Sequence, residues 1–283
     1  MAKATQLDLV VTTPDRPSGR GQRLRATPIK SAAEQLGIAV VAPTRLQPTP
    51  AEIANLKPDL LLLASYGKIL PPALLGLPVL GALNVHPSLL PLYRGATPIQ
   101  SALRDGRTET GVTIMMMDAG MDTGDIVLQE ATAIEPGENY GLLHDRLALH
   151  GAELLRSAME RFARGDSTTS RQSGETSITR PLRRGDLTVQ WTWTALEINN
   201  TIRAFSPKPS ARALVAGVPV KLLRAHVAAS AAPAETLVGT VLGVEGEAAL
   251  IACGEGVVAL DQLTPPNRAA TSGAAFVRSC SGA

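Results

Sequence analysis

The sequence predicts an α/β chain in which a parallel sheet covered by helices on both faces is followed by a small β-barrel or sandwich. Three observations predict it. Between Leu7 and Ile134, short apolar runs alternate with stretches of helical character, the pattern of a sheet buried on both faces. Residues 165–178 then turn rich in Ser, Thr, Gly and Gln, as a linker does. Beyond them come short strand-like runs joined by Gly-containing turns, enough for a β domain of about 80–100 residues.

Strands are expected at 7–12, 39–42, 59–65, 81–86, 111–117 and 126–134. The first helix has Thr27 as N-cap and Pro28 at its first position, and stops at Gly37 as a left-handed cap. Further helices fit 50–56 and 96–104. A long one over 140–164 carries Leu142, Leu143, Leu147, Leu154, Leu155 and Met159 on an apolar stripe and ends at Gly165. After the linker, a short amphipathic stretch over 196–205 precedes strand-like segments at 214–227, 236–244, 248–253 and 256–263.

With 283 residues, 45% of them hydrophobic and 18% charged, the chain can bury a real core. The 25 Gly and 21 Pro show no fixed period, which excludes collagen-like and disordered classes. Cys253 and Cys280 lie far apart and lack metal-ligand spacing, so neither a disulfide framework nor a zinc site is expected, and a reducing cytoplasm is the expected compartment. No apolar run reaches the roughly 18 residues of a membrane span, and a signal peptide's order of residues is absent, so no membrane partner is expected.

The net charge of +2 conceals a segregation: residues 1–30 carry six Lys/Arg against two Asp/Glu, and 164–224 carry ten against four. Residues 31–163 carry nine against fourteen, so two basic zones flank an acidic body. Such zones attract a polyanion, because each neutralised phosphate releases counterions.

In an open sheet, ligands bind beyond the carboxyl ends of the strands. Two such ends carry chemistry. Asn84 and His86 are two apart on one strand, so they project from the same face, and the turn 87–91 follows. The loop 118–125, DAGMDTGD, puts three carboxylates after the next strand. Its spacing is not that of an EF-hand, since the twelfth position from Asp118 is Gln129. A carboxylate brought beside His86 would orient the imidazole and raise its basicity. An amide, an imidazole and a carboxylate with no Ser or Cys nucleophile suit stabilisation of an oxyanion while an external nucleophile attacks. No GxGxxG, P-loop or GxSxG elbow is present, which removes nicotinamide, phosphoryl-transfer and serine-hydrolase readings.

NVHPSLLPLYRGATPIQ (84–100) and MDAGMDTGDIVLQ (117–129) resemble the signatures of the folate-dependent formyltransferases. Further matches at 14–30, PDRPSGRGQRLRATPIK, at 64–71, ASYGKILP, and at 203–209, RAFSPKP, carry the resemblance over nearly the full length. It implies a doubly wound, mostly parallel, Rossmann-like catalytic domain over 1–164, a linker over 165–182 and an OB-like barrel over 183–283. It also implies that the formyl group of 10-formyltetrahydrofolate passes to the α-amine of methionine on initiator tRNA; that mechanism needs no metal, and a monomer is expected. Asn84, His86 and Asp122 are then the catalytic set, Asp122 being chosen because the family's catalytic carboxylate is the Asp of the DTG triplet. Ser88, Leu89, Leu90 and Pro91 would line the folate pocket. Arg16, Arg20, Arg23 and Arg25, in a loop with Gly19 and Gly21, would reach the acceptor stem, and Arg183, Arg184, Arg203 and Lys208 would hold RNA from the second domain; such contacts position rather than specify.

Family members begin with an apolar strand and helix ahead of what is here Leu7, and Met1–Thr5 reads as the last turn of that helix. The expectation is that Met1 is internal to a longer native chain, which an intact mass of 29.6 kDa for natively expressed protein would contradict. The rival enzymes are formyltransferases acting on glycinamide ribonucleotide or an aminosugar nucleotide and a hydrolase of the formyl folate, none of which needs the basic arm. An RNA-binding module with a degenerate catalytic domain is the rival from another class, and the intact Asn84, His86 and Asp122 speak against it.

Overall fold

The computed structural model describes residues 6–18, 23–47, 49 and 51–281. The chain divides into two compact units, each assembled from separated segments. One takes the described residues up to His86 together with Val112–Glu130 and Gly151–Glu175; the other takes Pro87–Gly111, Ala131–His150 and the rest from Thr176.

In the first unit, the strand Leu9–Val11 pairs in parallel with Ala39–Val41. The helix Pro28–Gln35 connects them. It starts where the sequence predicts: the Thr27 hydroxyl accepts from the Lys30 backbone N–H, and Gly37 follows at φ +69°. Four more strands form the second sheet in the order Leu61–Ala64, Ala82–His86, Glu109–Met116, Ile126–Ala133. Leu46, Ile53, Leu70 and Leu74 form a buried cluster against which Leu9, Val11, Val41, Leu61 and Leu63 pack.

The expected mostly parallel sheet is corrected to a mixed one. Leu61–Ala64 runs parallel to Ala82–His86, but Glu109–Met116 runs antiparallel to it, with Asn84 opposite Met115 and His86 opposite Thr113. A buried strand reads as an apolar run in either direction, so hydrophobic pattern does not encode this reversal.

The helix Tyr140–Ala163 crosses from one unit's segment to the other's. Gly151 sets its approach to the strand that carries Asn84 and His86, because a Cβ there would lie 2.8 Å from Val85 Cγ1. Near the helix start, Glu138 is 7% exposed and meets the Arg146 guanidinium through Nε at 3.0 Å and Nη2 at 2.8 Å. Arg146 also donates to the Thr132 hydroxyl and the Ala133 carbonyl. Burial pushes the Glu138 carboxyl up, but bonds from Arg146 and the Glu135 N–H pull it down and prevail, so it lies below its ordinary value of 4.5. A depressed pKa contributes stability above the unfolded value, lost as pH falls through the folded one. Glu138→Gln is therefore expected to flatten the fall in melting temperature below pH 4.5; an unchanged acid limb contradicts this.

The second unit holds an antiparallel sheet in the order Ala211–Val215, Val218–Val227, Val257–Thr264, Ala248–Ala252, Val241–Glu245, with Thr271–Ser272 added beside Val257–Thr264. The predicted segment 214–227 is a hairpin, turning at Ala216 and Gly217, both at positive φ. Register shifts between Leu222 and Ala225 bend its long strand. The helix Gly273–Ser281, which the sequence reading did not include, closes the chain's described part.

Helix Ala195–Phe205 packs on this sheet. Its start is a capping box: Thr194 Oγ1 accepts from the Glu197 N–H at 3.1 Å, and Glu197 Oε2 accepts from the Thr194 N–H at 2.8 Å. Ala195, Ile198, Ile202 and Phe205 form its buried stripe at spacings of three and four. Ile198→Ala, at a position with no exposure, is expected to destabilise the protein by about 2–5 kcal/mol. Urea unfolding followed on this unit measures it, and a loss under 1 kcal/mol would show that the core collapses to fill the space.

Candidate active site

The strand Ala82–His86 ends with Asn84 and His86 on one face, as the period of two requires. His86 is 4% exposed and Asn84 half-buried. The loop after Glu109–Met116 brings Asp122 to the histidine: His86 Nδ1 lies 3.6 Å from Asp122 Oδ2, within ion-pair range and slightly beyond a direct hydrogen bond. The carboxylate side chain is 18% exposed. His86 and Asp122 stand side by side within one unit, and Asn84 lies two residues before His86 on the same face of its strand.

The structure sorts the three loop carboxylates. Asp118 accepts from the Gly120 N–H at 2.9 Å and from the Thr123 hydroxyl at 2.7 Å, so it folds the loop upon itself. Asp125 accepts from the Thr169 hydroxyl at 3.3 Å. Asp122 is the one beside the imidazole, and it sits in the left-handed region at φ +53°, which Asp tolerates better than bulkier residues. At Gly124 a Cβ would collide with the Met116 carbonyl, so the loop lies flush against the strand that precedes it. No group of three His, Cys, Asp or Glu suited to a metal ion occurs among the described residues.

Three polar residues that the sequence reading gives no role adjoin this arrangement. Thr113, wholly buried, faces His86 across the strand pair and accepts from Gln129 Nε2 at 2.8 Å. Gln172 Nε2 donates to the Asp122 carbonyl at 2.9 Å and the Gly124 carbonyl at 2.8 Å. Thr113 and Gln129 lie on predicted strands, where alternation could have marked them. Gln172 lies in the Ser/Thr/Gly/Gln-rich stretch that reads as linker, and no sequence signal distinguishes it.

Of the residues expected at the folate pocket, Ser88 is fully buried and its hydroxyl donates to the Leu92 carbonyl at 2.6 Å, closing the turn. Leu90 is 3% exposed, Pro91 is buried and follows a cis bond, and Leu89 lines a cavity of about 160 Å³ with Leu92, Tyr93 and Arg107.

Among the expected RNA contacts, Arg16 and Arg25 are exposed and directly opposite each other in a ribbon formed by Arg16–Ser18 and Arg23–Arg25. The expected loop is thus partly paired. Gly19, Arg20 and Gly21 lie outside the described residues, as do Met1–Thr5. The base of the ribbon is tied by Lys30 Nζ to Asp15 at 2.9 Å, a contact that raises the Lys30 pKa. Arg183, Arg184 and Lys208 are exposed. Arg203 is half-buried: it donates to Asn200 Oδ1 at 2.9 Å and to the Leu103 carbonyl at 3.4 Å, and burial lowers its pKa. Its guanidinium packs in part within the second unit.

A buried imidazole with a carboxylate beside it, and an amide two residues back on the same strand face, suits group transfer in which an external nucleophile attacks. The chain belongs to the formyl transferase family: the family's N-terminal domain matches residues 2–159 and its C-terminal domain residues 181–281. It is 39% identical to a methionyl-tRNA formyltransferase of Aromatoleum aromaticum over 282 residues, 98% of this chain and 88% of that protein. Among solved structures, HypX of Aquifex aeolicus in complex with tetrahydrofolic acid matches with TM-score 0.68 at 19% identity over 98% of this chain, which spans about half of HypX (48%). An N-formyltransferase of Helicobacter canadensis, in complex with folinic acid and dTDP-3-aminofucose, matches with TM-score 0.65 at 19% identity, covering 90% of this chain and 87% of that one. At that identity the two structures share the fold.

Proposed function

We propose that this protein transfers the formyl group of 10-formyltetrahydrofolate to the α-amino group of methionine on initiator methionyl-tRNA, giving the formylmethionyl-tRNA used to start translation. The observation that carries this reading is the 39% identity to a methionyl-tRNA formyltransferase over nearly the full length, in a chain whose His86 lies beside Asp122 on the strand that also carries Asn84. The folate supplies the formyl carbon. As the amine attacks, negative charge grows on the formyl oxygen, and the Asn84 amide and a His86 N–H are the donors that would stabilise it. One such donor is typically worth about 3 kcal/mol in the transition state. Asp122, beside Nδ1, orients the ring so that Nε2 is the nitrogen turned away from the carboxylate. Asp122 would also help take the proton that the ammonium loses as the new C–N bond forms, and N10 of the folate takes up a proton as its bond to the formyl carbon breaks, leaving tetrahydrofolate and formylmethionyl-tRNA.

The finer assignments belong to the same proposal. Residues 1–164 form the catalytic domain, doubly wound and Rossmann-like; 165–182 the linker; 183–283 an OB-like domain that grips tRNA. The extents of the two family matches and the bent antiparallel sheet support this division. The turn Ser88–Pro91 lines the folate site, with Leu89 supporting it through its cavity wall and Ser88 holding the turn's shape. In the basic ribbon, Arg16 opposite Arg25 is a like-charge pair that repels across the strands, and a phosphate between them would relieve it. Arg183, Arg184 and Lys208, all exposed, extend the RNA contact. In this proposal the protein is a cytoplasmic monomer that works without a metal. No helix among the described residues is long and apolar enough to cross a membrane.

The test is a choice of acceptors. With formyl-labelled 10-formyltetrahydrofolate, the label is expected on initiator methionyl-tRNA and not on a dTDP-aminosugar or glycinamide ribonucleotide. Label on either small acceptor in preference to tRNA overturns the assignment of substrate.

A further inference from the structure

Resting on that reading of the site, we infer that Gln172 is a positioning residue for the reaction, acting through the Asp122 loop. Further ties hold the loop's ends and join Asp118 to Thr123. The Met116 N–H donates to the Asp125 carbonyl at 2.8 Å, and Asp118 gathers the Gly120 N–H and the Thr123 hydroxyl. At Asp122 itself the backbone is left-handed. The two carbonyls on either side of Thr123 receive both donor hydrogens of one amide, Gln172 Nε2 reaching Asp122 O at 2.9 Å and Gly124 O at 2.8 Å. A half-buried carbonyl without a donor seeks another geometry, and here another geometry means a different φ at Asp122 and a carboxylate withdrawn from His86 Nδ1.

Gln172 can serve as a fixed clamp because its own segment is anchored. Ser170 and Ile126 exchange two backbone bonds, at 2.7 and 2.9 Å, and the Thr169 hydroxyl reaches Asp125. The stretch that reads as a spacer is thus paired to the catalytic loop's exit, with a single amide directed back at the turn. The side chain's bonds to the loop run to backbone carbonyls. Its effect is on where Asp122 stands.

The experiment compares Gln172→Ala and Gln172→Glu with the parent protein, alone and combined with Asp122→Asn. Gln172→Glu keeps the side chain's shape and sets acceptor oxygens against the two carbonyls. Each single variant is expected to lower kcat about tenfold to a hundredfold, the cost of misplacing a group by around an ångström, with KM for tRNA within about twofold and the melting temperature within a few degrees. On an Asp122→Asn background, Gln172→Ala should cost less than about threefold more, because both act on one function. A kcat unchanged in both single variants, losses that multiply in full in the double variant, or failure of both variants to unfold cooperatively overturns the inference. Inactivity of the parent protein with methionyl-tRNA overturns the functional reading, and the inference with it.

Discussion

Alanine at His86 or at Asn84 is expected to lower kcat for formyl transfer by about 10²–10³-fold, with much smaller changes in KM. Both residues stand at the end of one strand and on one face, where an amide and an imidazole can meet the same oxygen. The charge they answer exists only as the amine attacks, so their removal raises the barrier more than it weakens substrate binding. The double variant should lose far less than the product of the two single losses, since the residues serve one oxyanion. His86 is buried in the sheet, so the circular dichroism of each variant must match the parent before the rates are read. Single-turnover rates within tenfold of the parent in both variants contradict their assignment.

Asp122→Asn is expected to lower kcat by about 10²–10⁴-fold while the loop keeps its shape. The basis is electrostatic. An amide of equal size preserves the contact with Gln172, which involves the backbone carbonyl, but takes the negative charge from beside His86 Nδ1. The ring then loses the carboxylate that orients it and that helps accept the ammonium proton. Asp118→Asn and Asp125→Asn serve as comparisons, because those carboxylates bond to Gly120, Thr123 and Thr169 and lie on other business than the imidazole. Their expected cost in kcat is under about tenfold, the size of a lost supporting hydrogen bond. Equal losses at all three positions would show that net charge in the loop, and not the Asp122 position, is what matters.

The parts of the fold legible in the sequence are those fixed by local chemistry. Thr27, Pro28 and Gly37 mark the first helix because capping and backbone freedom are properties of single residues. The helix Tyr140–Ala163 is legible because its stripe persists over many turns. Asn84 and His86 are recognisable as a pair because the period of a strand puts them on one face. What is set by tertiary pairing was hidden. The antiparallel direction of Glu109–Met116 leaves no trace in an apolar run. The ribbon Arg16–Ser18 with Arg23–Arg25 reads as a loop because its residues are basic and flanked by glycines. Charge alone does not reveal that Arg203 donates to Asn200 and to the Leu103 carbonyl. The choice among Asp118, Asp122 and Asp125 lay beyond residue chemistry too. Three carboxylates within eight positions are equivalent on paper, and the family resemblance chose Asp122 before the loop's bonds separated them.

The most direct measurement of the central claim is single-turnover transfer of labelled formyl from 10-formyltetrahydrofolate to initiator methionyl-tRNA by the 283-residue protein, with Asn84→Ala, His86→Ala and Asp122→Asn in parallel. The account predicts label in RNA-linked methionine with the parent protein and at least about a hundredfold slower transfer in each variant. Label that appears as free formate, or transfer that proceeds equally in the three variants, would contradict it.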